Sequence, residues 1–335
     1  MKAEIIDPRT DPIPDGWEKL RGSEGLSAAW DANALTALAW CSQRTVYLGL
    51  VSDGDVPVAL FTGDFGPYTP RKAQYSSPGK PSLGLYFCRL LAGFNQGFTF
   101  ASALDLKDRR RACLAFERGL RRRLGLRCFG VVYNNLLDTT VGIVDGWFRL
   151  SRPVSPNIVL HNTWESMDDY FAGLPRSRRR TFTGIHEGVD ASSEIRVRSG
   201  VDAVDPVQAS RLDTMTRSKH LEANDVLVPL PHKYFEHLNN EPSVRYFIHE
   251  SATSGELESF DLAFVAGGVL CTTITGSLES ARSKRLQLYH DLYLREVAYL
   301  IEHRLHTVEF GKGMFDLKRR FGCVQVPMYA VAAAF

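Results

Sequence analysis

The order of elements in the last third of the chain restricts its fold most. An apolar strand candidate at Leu262–Thr275 precedes a polar turn, a long helix candidate at Leu286–Leu305 and a short strand at Thr307–Phe310. The segment Gly311-Lys-Gly-Met-Phe-Asp-Leu-Lys-Arg-Arg-Phe-Gly322 follows directly. Strand, helix and strand in close succession predict a βαβ unit, because parallel neighbours need a crossover about this long. The strand ends and helix start of such a unit open on a crevice that suits anions.

A chain of 335 residues has room for two ordinary domains. With 44% hydrophobic and 23% charged residues it reads as globular. The net charge of +2 argues against a whole-surface polyanion binder, and no DNA partner is expected. Charge is instead local. Eight arginines fall between Arg109 and Arg127, and Arg176, Arg178, Arg179 and Arg180 form a second cluster. Each is either a solvated helix face or a basic face for RNA phosphates or a nucleotide-bearing donor. The amino terminus, MKAEIIDPRTDPIPDGW, has no apolar stretch of the secretory kind, and no apolar run reaches the ~20 residues of a membrane span. A cytoplasmic protein without membrane insertion is expected. The six cysteines are scattered without a Cys-x2-Cys pair, so buried reduced thiols are expected, with no zinc site or disulfide framework.

Thr45–Val51 and Val56–Thr62 flank Asp53-Gly54-Asp55 and predict a hairpin. Asp105–Leu124 reads as a helix capped by Asp105 or Asp108, and Arg127–Tyr133 as a strand. In the second half, Asn157–His161 is a strand and Ser166–Leu174 a helix. Glu194–Ser199 and Val244–Ser251 are strands, Pro206–His220 and Lys233–Leu238 helices, and Gln325–Ala330 a closing strand. This order predicts two α/β (α+β) units, 1–146 and 147–335, joined near Trp147–Pro156.

The second half resembles the GNAT-type acyltransferase domain of FemABX-like and BioF2-like proteins, a group that includes peptidoglycan-bridge biosynthesis proteins. The residues that carry the resemblance are SMDDYFAGLPRSRRRTF, Thr-Met-Thr-Arg-Ser-Lys-His at 214–220, PHKYFEHL, and the ending LYLREVAYLIEHRLHTVEFGKGMFDLKRRFG. Lys318, Phe321 and Gly322 stand where the family places a lysine before an aromatic–glycine pair. The first half is similar, more weakly, to the partner GNAT-like domain. The resemblance implies tandem GNAT-like domains, mixed central sheets flanked by helices, with the donor site in the second. It also implies N-acyl transfer from acyl-CoA or a comparable donor to an amine of a small-molecule, sugar or peptide-like acceptor. Aminoacyl transfer from tRNA, or a non-catalytic binding protein of the same fold, are the alternatives. No tightly bound cofactor is expected.

Amide formation needs a proton acceptor for the amine and a charge partner for the tetrahedral oxygen. Lys318 is the first candidate for that charge; a solvated lysine in a Lys-Arg-Arg run is the other reading. His220 is the candidate base, since an unperturbed imidazole titrates near ~6.5. Contact with the exposed carbonyls of a helix end is the other reading. Tyr289 and Tyr293, one turn apart, can present a hydroxyl or pack in the core, and Glu309 can orient the amine or pair with a neighbouring arginine. Ser277, Lys284, Lys312 and Arg319 are candidates for donor phosphates, and the resemblance adds Arg178 and Arg179. No residue grouping has metal-ligand spacing.

Overall fold

A computed structural model describes residues 1–68, 75–79, 83–146, 148–219 and 229–335. They form two compact units, Met1–Pro156 with Val326–Phe335 and Asn157–Gln325. Residues 148–156 and 326–335, which the sequence groups with the second half, thus belong to the first unit. For the closing strand the cause is pairing: its residues from Tyr329 onward run antiparallel to a strand of that unit, Ala332 opposite Val132.

The first unit contains β1 (Lys2–Ile6), α1 (Asp15–Ser23), α2 (Ala32–Trp40), β2 (Thr45–Asp53), β3 (Val56–Gly66), β4 (Gly84–Cys88) and β5 (Phe98–Phe100). It continues with α3 (Leu106–Leu124), β6 (Cys128–Leu136), α4 (Asp138–Val144) and the start of β7 (Arg149–His161). The second holds the end of β7, α5 (Met167–Gly173), α6 (Arg176–Asp190), β8 (Ile195–Val201), α7 (Pro206–Ser218), α8 (His232–Leu238), β9 (Val244–Ser251), β10 (Leu257–Ala266) and β11 (Val269–Ser277). α9 (Ala281–Leu286), α10 (Leu288–Glu302), β12 (Thr307–Glu309) and α11 (Phe315–Lys318) follow, and β13 (Val324–Ala334) returns to the first unit.

Strand order is β1-β2-β3-β4-β6-β13 in the first unit and β8-β9-β10-β11-β12-β7 in the second. In each, the fourth and fifth strands are parallel, β4 with β6 and β11 with β12, and a helix connects them. Each unit is therefore a mixed sheet flanked by helices with a GNAT-like α/β order.

The local causes are readable. Gly54 takes a positive φ of 60° and closes the β2–β3 turn with Asp53 opposite Val56. Asp105 caps α3 by accepting from the Asp108 amide at 2.8 Å. The apolar side of α3, Ala112, Ala115, Phe116 and Leu120, is buried. Phe116 stacks on Phe61 at 4.0 Å between centroids, against Gly49, where a Cβ would come within 2.5 Å of the Phe116 ring. Only a glycine lets the sheet meet the helix there.

Two expectations in the last third change. Leu262–Thr275 is not one strand: Gly267 and Gly268, both at positive φ, turn the chain so that β10 and β11 pair back on themselves. The helix expected at Leu286–Leu305 is α10, Leu288–Glu302, but the polar turn before it holds the short helix α9, which Gln287 ends with a left-handed backbone (φ 54°). Among the described residues no helix is long and apolar enough to cross a membrane, and no group of His, Cys, Asp and Glu is arranged to hold a metal. All six cysteines are free thiols.

Candidate active site

The second unit opens where its parallel pair comes apart. β11 and β12 are in register only through Val269–Thr307, Leu270–Val308 and Cys271–Glu309. Beyond that, β11 stays on β10 as far as Ser277 opposite Ser259. The chain after β12 instead follows β7, with the Phe310 amide donating to the Ile158 carbonyl and the Ile158 amide to the Gly311 carbonyl. Two strands held by different neighbours leave a notch at their carboxyl ends.

Three buried charged side chains converge on this notch. Lys318 projects from α11 with 5% of its surface exposed, and its Nζ donates to the Phe310 carbonyl at 2.6 Å and the Lys312 carbonyl at 3.5 Å. Asp261 on β10 lies across from Thr275 and accepts from its hydroxyl. Glu296 on α10 accepts from the Thr272 hydroxyl at 2.7 Å. The other carboxyl oxygen of each acid, Asp261 Oδ1 and Glu296 Oε2, is buried with no hydrogen-bond partner among the described residues.

Electrostatics follow from that burial. Removal from water pushes Asp261 up to about 7, against the Thr275 hydrogen bond and the Lys318 charge. Glu296 is raised well above the ordinary carboxyl range by burial and then by Asp261. Burial also lowers the Lys318 ammonium, while Cys323, Glu296 and Asp261 act the other way. Near neutral pH Glu296 is thus held as a carboxylic acid, while Asp261 is divided between its acid and its carboxylate beside the Lys318 side chain.

Asp261 consequently titrates against stability. Its unfolded pKa is about 3.9. Its contribution is full below that pH and is lost as pH rises through about 7. Asp261→Asn keeps the shape and the Thr275 acceptor but removes the titration. Its urea-unfolding free energy should gain on that of the native chain between about pH 4 and pH 7; a gap independent of pH contradicts the assignment.

α10 is fixed from its other side. Asp291 accepts from His249 Nε2 at 2.8 Å, His186 Nδ1 at 3.1 Å and Arg295 Nε at 2.8 Å, while His249 Nδ1 meets Ser259 Oγ at 2.8 Å. Burial pushes Asp291 up, but the histidine hydrogen bonds and the Arg295 charge outweigh it and hold the carboxyl far below its ordinary range. Ser259, His249 and Asp291 stand in the line of a hydrolytic triad, yet all three are fully buried. Their role is to orient the helix that carries Tyr289, Tyr293 and Glu296.

Tyr289 and Tyr293 meet through their hydroxyls at 3.0 Å, and the Tyr293 ring packs on Phe310 and Phe321 at 4.9 and 5.1 Å. Phe321 also stacks on Phe182 of α6 at 4.3 Å. On the far side of Phe321 the cations gather. Arg178 Nη1 donates to the Arg319 carbonyl at 3.4 Å, and Arg320 lies 5.9 Å over the Phe182 ring. Two basic segments 141 residues apart in sequence therefore share one surface beside the notch. His290 reflects it: burial and then Arg320 lower its imidazole.

The other sequence candidates are placed as follows. Arg179 turns back to the Ala172 carbonyl at 2.7 Å and so closes the end of α5. Glu309 ends β12 opposite Cys271, half-buried, and Lys312 lends its carbonyl to Lys318. Ser277 and Lys284 lie at the β11–α9 turn, whose groups are engaged internally. The Ser277 amide donates to Thr216 Oγ1 at 2.8 Å, the Leu278 amide to the Glu258 carbonyl at 2.8 Å, and Lys284 pairs with Glu279 at 3.4 Å. His220 lies outside the described residues. Asp261 and Glu296 were missed, although each carried a signal: Asp261 is a lone acid in the apolar run Phe260–Val265, and Glu296 falls midway between Leu292 and Leu300 on the buried stripe of α10.

No protein-family model and no curated protein matches the sequence. Solved structures do. L-PGS from Bacillus licheniformis superposes with a TM-score of 0.60 at 10% identity, over 96% of this chain and 92% of that one. The C-terminal domain of a putative lysylphosphatidylglycerol synthetase from Agrobacterium fabrum gives 0.59 at 10% identity, over 95% and 91%. FemX gives 0.59 at 10% identity, over 99% and 97%. Likeness at this identity speaks for the fold. The chain shares its fold with FemX and with the lysylphosphatidylglycerol synthetase domains.

Proposed function

We propose that this protein is an N-acyltransferase, passing an acyl group from an activated ester or thioester to an amine at the parting of β11 and β12. The observation that carries this is Lys318, a buried ammonium fixed on two carbonyls beside two protonatable acids. An ammonium has three donors; two are engaged, and the third is free to hold the oxygen of the tetrahedral adduct. The amine nitrogen attacks the acyl carbon and its proton passes to the carboxylate form of Asp261. The adduct then collapses, the acyl–oxygen or acyl–sulfur bond breaks, and Asp261 returns that proton to the departing oxygen or sulfur, which leaves as the alcohol or thiol. Asp261, titrating at about 7, is matched to that transfer at neutral pH. In this reading Glu309, at the end of β12, orients the acceptor.

Acyl-CoA is one donor, and aminoacyl-tRNA is a second reading favoured by two observations. The β11–α9 turn offers few unengaged groups for a pyrophosphate. The guanidinium groups of Arg178, Arg319 and Arg320 instead form a cationic surface next to the notch. Binding of charged tRNA and of a CoA thioester across a salt series separates them. If three phosphates are contacted, tRNA affinity should fall by about two log units per tenfold rise in salt. It should also weaken in Arg178→Glu with Arg320→Glu. A flat response to salt removes tRNA; binding of neither donor removes the transferase.

A further inference from the structure

The exposed face of α3, in the first unit, is cationic and apolar together. On a 100° wheel Leu106, Arg110, Leu114, Arg118, Arg121 and Arg122 fall within one outward arc, opposite the buried Ala112, Phe116 and Leu120. Among the described residues Arg118, Arg121 and Arg122 have no ion-pair partner, and the acids nearest in sequence are engaged: Asp108 with Arg111 at 2.7 Å, Glu117 with Arg149 at 2.9 Å. Leu106 and Leu114 are about half exposed, and Leu126, just past the helix end, is 93% exposed. Two depressions lie along the face. One, of about 290 Å³, is walled by Lys2, Arg118 and Arg122; the other, of about 520 Å³, by Leu106, Arg110 and Leu114.

Unbalanced guanidinium groups call for an anionic partner. The leucines decide its kind. Recognition of single-stranded RNA uses aromatic stacking and hydrogen-bonding side chains, and α3 exposes no ring and contains no Asn, Gln, Ser or Thr. Arginines that meet phosphates beside leucines that enter the acyl boundary are the composition of a helix lying on a lipid surface. We infer that α3 docks the protein on an anionic membrane surface, with phosphates at the Arg118–Arg122 depression and apolar contact at Leu106 and Leu114. The docking is peripheral and independent of the reaction at Lys318.

Co-sedimentation tests it, using vesicles of phosphatidylcholine alone and of phosphatidylcholine and phosphatidylglycerol in equal parts, with poly(U) as the RNA probe. Binding should require phosphatidylglycerol and weaken with salt. Arg118→Glu with Arg122→Glu should lower vesicle affinity about 30-fold or more. Leu106→Ser with Leu114→Ser should lower it severalfold at unchanged charge, without altering any poly(U) binding. Arg121→Glu provides a single change on the same face, and thermal melts confirm that each variant is folded. Absence of binding to the mixed vesicles overturns the inference. So does vesicle binding that ignores the leucine changes, or arginine-dependent capture of poly(U) in its place.

Discussion

Lys318→Ala is expected to cut turnover by about 10²–10³-fold while the protein remains folded, the loss that follows removal of one oxyanion donor. The alanine leaves the Phe310 and Lys312 carbonyls without their ammonium and removes the Lys318 charge that acts on Asp261 and Glu296. Lys318→Arg should restore little, because a planar guanidinium cannot occupy the site of a compact ammonium bound to two carbonyls. Arg196→Ala, at an exposed position on β8, should leave turnover unchanged. The measurement is single-turnover kinetics with the donor that the salt series selects. Equal rates for Lys318→Ala and the native chain would remove Lys318 from the chemistry.

Asp291→Ala should be the most damaging change to stability. It strips a buried carboxylate from His249, His186 and Arg295 and leaves a guanidinium without its buried partner, a loss of about 3–5 kcal/mol. Equilibrium urea unfolding measures it. Its pH dependence has the opposite sign to that of Asp261. The folded pKa of Asp291 lies below its unfolded value, so its contribution is complete above about pH 4 and disappears as pH falls below that. The native chain should therefore lose stability on acidification faster than Asp291→Asn. Parallel acid profiles for the two would contradict the assigned network.

The parts of this architecture written in local sequence were legible in it. Asp53-Gly54 gave the β2–β3 hairpin and Asp105 the start of α3, because a turn and a cap are decided within four residues. Lys318 stood out because it follows a short strand at the end of a βαβ order. What failed depended on partners distant in sequence or on single backbone angles. Apolar residues on both sides of Gly267-Gly268 hid a hairpin within one apparent strand. The short helix α9 reads in the sequence as part of a polar turn, since Gln287 ends it with a left-handed backbone that no glycine announces. The return of β13 to the first unit is fixed by pairing with β6, about 200 residues earlier, which no local pattern records. Asp261 lay in an apolar run and Glu296 on the buried stripe of a helix, single signals without a motif; only the meeting of β10, β11, α10 and α11 makes them a pair.

The central claim, amide formation at the notch of the second unit, is tested most directly by following the acyl group. The native chain and Lys318→Ala are incubated with an amine-metabolite pool and either a labelled acyl-CoA or tRNA charged with labelled amino acids. Label held as a thioester or ester is released by mild alkali, whereas label in an amide is retained. The account predicts alkali-stable label from one of the two donors with the native chain, and about 10²–10³-fold slower formation with Lys318→Ala. Label that stays alkali-labile with both donors, in the presence of folded native protein, contradicts it.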